Sequence, residues 1–281
     1  MSQLLRHYGL SRHPFARNTP KDALLHHRGF EEAHSRLSFT VELDSIAVLL
    51  AETGCGKSLL LGELNDELRA QGWAVHYLAH TTVGPFGLIN VLARKAGLAP
   101  RRSRAETAMA LTDTLVENER NHLLIIDEAH ALPDSTLEDI RLLTIADFDR
   151  KSPFLLLLAG QPAFEDRLAE PTHHALDQRI TTIARLAPLS LEENREYIAK
   201  RLEAAGAKKN PVFEDSAIEA VFDASGGVPR RINNTATAAM IVAAARRRRI
   251  VTEQDVNDAR FDRGRPGIQD SYPDNPSRPE K

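Results

Sequence analysis

The feature that most constrains this chain is the stretch Ala51–Ser58, which reads Ala-Glu-Thr-Gly-Cys-Gly-Lys-Ser. It stands between an apolar run, Ile46–Leu50, and a helical pattern, Leu59–Arg69. A strand, a glycine-bearing loop and a helix in that order make a cradle for a polyphosphate. Gly54 and Gly56 let the backbone curl so that its N–H groups point inward, and the helix N-terminus adds the positive end of its dipole. Lys57 is expected to reach the β- and γ-phosphates, and Ser58 to offer a hydroxyl to Mg²⁺. Thr53, Gly54, Cys55, Gly56, Lys57, Ser58 and Leu59 are therefore the expected nucleotide contacts. The usual pattern is G-x-x-x-x-G-K-S/T, and Ala51 replaces its first glycine. A methyl group there is a small change, because the contacting N–H groups lie further along. Cys55 reads first as a small filler residue. A helix N-terminus and Lys57 also favour its thiolate, which would make it open to bulky thiol reagents.

The second element is His122–His130, four apolar residues ending in Asp127 and Glu128. A buried strand that ends in two carboxylates suits phosphoryl chemistry. Asp127 is expected to hold Mg²⁺, mainly through water, and Glu128 to act as base on the attacking water. The letters Asp-Glu-Ala-His also spell a helicase box, but such helicases need two motor domains and this chain has room for one.

Short apolar runs at Ile46–Leu50, Ala74–Leu78, His122–Ile126, Phe154–Ala159 and Ile180–Leu186 alternate with helical patterns. That alternation predicts an α/β domain with a parallel five-stranded sheet. From Ser190 the pattern turns helical. Ser190 with Glu193 makes a capping box, Asp215 and Thr252 open further helices, and Pro229 starts another. The expected organisation is a segment 1–42 packing on the core, an αβα domain 43–188, a small helical bundle 189–262 and a disordered tail 263–281. No apolar run approaches the roughly 20 residues of a membrane span. No secretory apolar core precedes His7 and Arg12, and one cysteine excludes an intrachain disulfide. A cytoplasmic location without membrane attachment is the expectation.

With these elements in place, the chain resembles AAA+ ATPases of the ExeA-like group, which includes transposition regulators of the TnsC, TniB and IstB type. The resemblance runs from about residue 4 to about 260. His7–Leu10 with Pro14 and Phe15 looks like the group's opening, and His34–Leu37 like its pre-strand helix. Tyr77–Thr82, Arg150–Pro153 through Leu158–Pro162, and Gln178–Ile180 match further elements. Ser225–Asn233, reading Ser-Gly-Gly-Val-Pro-Arg-Arg-Ile-Asn, is the most specific match. The resemblance implies an AAA+ P-loop NTPase with a small α-helical lid, an ATP hydrolase that uses Mg²⁺. It implies that Gln161 senses the γ-phosphate or the lytic water. It implies that Arg179 is an arginine finger reaching a neighbour's ATP, with Arg185 the alternative. Arg230, with Arg231 the competitor, resembles the sensor that links the lid to the γ-phosphate. A finger in trans implies a homo-oligomer, a ring or a helical filament.

The same resemblance implies assembly on double-stranded DNA and recruitment of a transposase, and leaves room for a target-selection protein. Net charge is −3, so the chain as a whole is no basic polyanion binder. Its cations are clustered, however. Thr81 and Thr82 follow the second strand, and Arg94, Lys95, Arg101, Arg102 and Arg104 lie in the next helix and loop. Contacts from these residues to phosphate would be sequence-independent and salt-dependent. A solvated basic turn explains them as well, and a helix C-terminus explains Arg246–Arg249. Two other functions stay open. One is a nucleotide switch for signalling or defence, and the other an ATPase for assembling envelope secretion machinery.

Overall fold

The computed structural model describes residues 3–16, 23–42, 45–79, 85–117, 121–144, 152–207 and 211–261. In chain order the first elements are α1 (Gln3–Tyr8), α2 (Arg28–Glu42), β1 (Ile46–Ala51), α3 (Lys57–Ala70), β2 (Ala74–Leu78), α4 (Pro85–Lys95) and α5 (Arg104–Glu117). Then come β3 (His122–Ile126), α6 (Asp134–Leu143), β4 (Leu155–Gly160), α7 (Ala163–Leu168), α8 (His174–Asp177) and β5 (Ile180–Leu186). The last are α9 (Leu191–Ala204), α10 (Asp215–Ser225), α11 (Pro229–Ala245) and α12 (Glu253–Phe261). The chain forms two compact units, Arg28–Ala187 and Met1–His27 with Pro188–Lys281.

The first unit holds a parallel sheet in the order β2-β3-β4-β1-β5. Its three central strands are buried at every position and, His122 apart, apolar, as suits strands covered on both faces. The edge strands β2 and β5 carry most of the polar positions. Alternation along the strands divides the core. Ile46, Val48, Leu124, Ile126, Leu156 and Leu158 meet α4 to α8, while Ala47, Leu123, Leu155 and Leu157 meet Leu37 of α2 and Leu64 of α3. This three-layer arrangement is the AAA+ P-loop NTPase fold anticipated from the sequence. No helix among the described residues is long and apolar enough to cross a membrane.

The second unit packs α9 to α12 around Ile198, Ala217, Val221, Ile232, Ala236 and Met240. Leu10 and Phe15 enter the same core. Arg201, 3% exposed, donates to the carbonyls of Pro14 and Ala16 at 2.7 Å each. The division between the units falls at residues 27 and 28, with α2 in the sheet's unit and the segment before it in the helical one. The proposed tail from 263 onward lies outside the described residues.

The capping box of α9 is present, with Glu193 N–H on Ser190 Oγ and Ser190 N–H on the Glu193 carboxylate. Asp215 is the first helical residue of α10 and Glu214 stands at its cap, without a capping side-chain bond. Much of the basic run Arg246–Arg249 is structural. Arg246 pairs with Asp255 and Asp258, and Arg248 with Asp255. Burial pushes the Asp255 carboxyl up, yet bonds from Thr252 and Arg246 outweigh it and hold it below its ordinary value.

Two expectations follow for stability. Gly226 and Gly227 both have positive φ, +60° and +73°. A Cβ at Gly226 meets open space, whereas one at Gly227 falls 2.1 Å from the Leu189 carbonyl oxygen. Gly226→Ala should cost about 1 kcal/mol and Gly227→Ala about 3 kcal/mol or more in urea unfolding. In the sheet unit, His76 of β2 stacks on His122 of β3 at 5.4 Å. Burial, aided by the nearby His122, Lys95 and Arg69, lowers the His76 pKa from 6.5 to about 4. Between those values the unfolded chain binds a proton that the folded chain refuses, so stability falls as pH drops through this window. Thermal melts should show that loss, and His76→Gln should flatten it.

Candidate functional site

In a parallel sheet the loops that follow the strands gather along one edge, where ligands bind in folds of this class. The sheet order therefore sets the site. The loop after β1, the turn after β3 and the exit of β4 stand side by side, because β4 lies between β3 and β1. Those three places carry Ala51–Ser58, Asp127 with Glu128, and Gln161.

The loop is built as its glycines require. Gly54 and Gly56 adopt φ +100° and +107°, which an L side chain resists, and Gly56 is the N-cap of α3. The backbone N–H groups of Gly54, Gly56, Lys57 and Ser58 donate to no described residue. Such a row at a helix N-terminus fits a polyphosphate. Ala51 ends β1, pairs with Leu186 and is buried. Its methyl group thus belongs to the sheet and not to the cradle. The Cys55 side chain is 2% exposed, so it packs inward and the loop presents its backbone. Thr53 and Ser58 are exposed and Leu59 half-buried.

Lys57 is 6% exposed, yet its ammonium is satisfied. Its Nζ lies 2.7 Å from Glu128 Oε1 and 3.2 Å from Asp127 Oδ1. Two carboxylates and one ammonium leave a net negative charge, and with the Ser58 hydroxyl at the start of α3 this donor set suits a hard divalent cation. Asp127 is 5% exposed and Glu128 more open. Asp127 Oδ1 also accepts the Glu128 N–H at 2.9 Å, and Tyr77 donates its hydroxyl to Asp127 Oδ2 at 2.8 Å. Glu128 holds φ 55°, a left-handed conformation that costs a non-glycine residue about 1 kcal/mol and is characteristic of functional turns.

Three residues here escaped the sequence reading of the site. Tyr77 sits on β2, and only the β2–β3 register, with Tyr77 level with Ile125, brings it to Asp127. His130 accepts the Gln161 N–H at Nδ1, 3.4 Å, and places Nε2 3.7 Å from Glu128 Oε2. Arg167 of α7 donates to the carbonyls of His130 and Leu132 and pairs with Asp134. The Asp-Glu-Ala-His letters flagged His130 without its role, and nothing local marks Arg167.

The other expected residues are placed as follows. Gln161 is half-buried at the exit of β4. Arg179 is half-buried just before β5, its N–H on the Leu176 carbonyl. Arg185 is exposed on β5 and paired with Glu165. Arg230 is exposed in the first turn of α11 and belongs to the helical unit. Arg94 and Lys95 end α4, and they are exposed along with Arg101 and Arg102. Arg104 pairs with Asp139 of α6. Thr81 and Thr82 lie outside the described residues.

Residues 41–168 match the family model described as AAA domain. The chain is 28% identical to General secretion pathway protein A of Aeromonas hydrophila over 232 residues, covering 80% of this chain and 42% of that protein. It thus spans less than half the length of that relative. Among solved structures it is similar to Cdc6p from Pyrobaculum aerophilum (TM-score 0.67, 18% identity, 89% of this chain and 70% of that one). It is also similar to Drosophila ORC bound to DNA (TM-score 0.66, 18% identity, 94% and 67%). The domain match and the secretion relative support an AAA+ ATPase.

If the Ala51 methyl belongs to the sheet, restoring the usual glycine should bring no benefit. Ala51→Gly should leave nucleotide affinity unchanged in a fluorescence titration and cost about 1 kcal/mol of unfolding free energy.

Proposed function

We propose that this chain is an ATP-dependent, oligomeric regulator that assembles on double-stranded DNA and recruits or activates a transposase there. The ATP part of the reading is carried by one observation, the buried Lys57 ammonium gripping Asp127 and Glu128 beside a loop of undonated N–H groups.

In this reading the loop N–H groups hold the phosphates and Lys57 turns from Glu128 to the β- and γ-phosphates. That exchange releases Glu128 to take a proton from the water that attacks the γ-phosphorus, as ADP leaves. Ser58 and Asp127 would hold Mg²⁺, whose charge offsets that of the phosphates. Gln161 orients the water, and its N–H bond to His130 ties it to the turn that carries Glu128. Arg179 stabilises the transferring phosphoryl group of the neighbouring subunit, and Arg230 reports the γ-phosphate to the helical unit.

DNA is supported by the exposed cations Arg94, Lys95, Arg101 and Arg102, and by the likeness to a fold seen bound to DNA. Arg104 contributes less, since Asp139 already partners it. A second reading has its own support in the secretion relative, and in it the same assembly serves envelope secretion.

Electron microscopy with ATP and duplex DNA, with turnover measured alongside, separates the two readings. The proposal expects ordered assemblies on DNA, lost as salt rises, and turnover that changes with DNA. Glu128→Gln should trap those assemblies. A chain that neither assembles on DNA nor alters its turnover with DNA would leave the secretion reading ahead.

A further inference from the structure

We infer that Tyr77 is a positioning residue whose hydroxyl orients the Asp127 carboxylate toward a divalent cation at the nucleotide site. The inference rests on the reading above, in which Asp127 holds the cation.

Tyr77 lies near the end of the edge strand β2, and the residue is 41% exposed. An exposed tyrosine ordinarily turns its hydroxyl to water. Here the hydroxyl instead points inward to Asp127 Oδ2 at 2.8 Å. The backbone reinforces the contact, because the Asp127 N–H donates to the Leu78 carbonyl at 2.8 Å and extends the β2–β3 ladder past the last paired residue. Asp127 is thus tied to β2 twice, once through its main chain and once through its side chain.

The arrangement fixes the carboxylate plane. Oδ1 receives Lys57 Nζ and the Glu128 N–H, and Oδ2 receives Tyr77. Rotation of the carboxylate would break all three contacts. The Lys57 contact has another claimant, since the same ammonium is expected to move to the phosphates. Once it moves, Tyr77 is the side-chain donor left holding Asp127 among the described residues. A phenol suits this duty better than a second cation. It orients the carboxylate by a hydrogen bond and leaves the full negative charge for the metal.

A merely structural tyrosine would support the turn whether or not a cation is present. The two roles separate when cation and nucleotide are titrated independently on the full chain. Affinity for a fluorescent ADP is measured in EDTA, and then the Mg²⁺ concentration that half-saturates the Mg²⁺-dependent gain is found at fixed nucleotide. Tyr77→Phe keeps the ring and removes the donor. It should raise the Mg²⁺ half-saturation about tenfold while the affinity in EDTA holds, as expected for one hydrogen bond to a charged group. Tyr77→Leu, which suits an edge position open to solvent, should give the same shift.

An unchanged Mg²⁺ half-saturation in both variants, alongside a clear shift in Asp127→Asn, would overturn the inference and leave the reading of Asp127 intact. Equal losses with and without Mg²⁺ would also overturn it, since they signal support of the turn alone. If Asp127→Asn itself leaves the Mg²⁺ dependence untouched, the underlying reading of Asp127 fails and takes this role with it.

Discussion

The Lys57 ammonium between Asp127 and Glu128 is the interaction on which the site depends. Burying that cation without partners would cost several kcal/mol, so its position requires both carboxylates. They come from different parts of the chain. Lys57 opens α3 after β1, while the acids follow β3, and β4 separates the two strands. The pairing therefore needs the whole central sheet in register. The sheet in turn needs helices on both faces, since its three central strands are buried at every position. A site made at the edge of such a sheet is rigid where the loops leave the strands, and Arg167 stiffens it further by gripping the turn after Glu128.

Local patterns in the sequence were enough for much of this. The five strands stand within one residue of where apolar runs place them, because central parallel strands admit few polar positions. The nucleotide loop and the Asp127–Glu128 pair were legible for the same reason, as each is a short segment whose chemistry and neighbours adjoin in sequence. Tyr77, His130 and Arg167 were not, because their contacts depend on strand register and on a helix from elsewhere in the chain. The ion pairs of the charge clusters were not legible either. Arg246 pairs with Asp255 and Asp258, Arg248 with Asp255, and Arg104 with Asp139, partners that spacing alone does not reveal. The segment before α2 also reads differently in three dimensions. Leu10 and Phe15 are buried in the helical unit, an attachment made by Arg201 some 185 residues away.

In the proposed reading, nucleotide binding and the freeing of Glu128 are coupled through Lys57. Lys57 cannot hold Glu128 at 2.7 Å and also hold a γ-phosphate, so binding and the release of Glu128 are linked by competition for one charge. Glu128 sits on a left-handed turn tied through His130 to Gln161, which in the proposed reading links the residue that senses the phosphate to the residue that acts as base. Which of the two proposed roles holds, on DNA or in secretion, is decided by surfaces rather than by the chemistry of the site.

The central claim is that the site is completed by Arg179 of a neighbouring subunit, and mixing two inactive variants tests it most directly. Lys57→Ala removes a subunit's own site and keeps its finger, and Arg179→Ala does the reverse. In a random equal mixture, one interface in four pairs an intact site with an intact finger, so turnover should recover to about a quarter of the unaltered chain's. A mixture no more active than its two components measured apart would contradict the account.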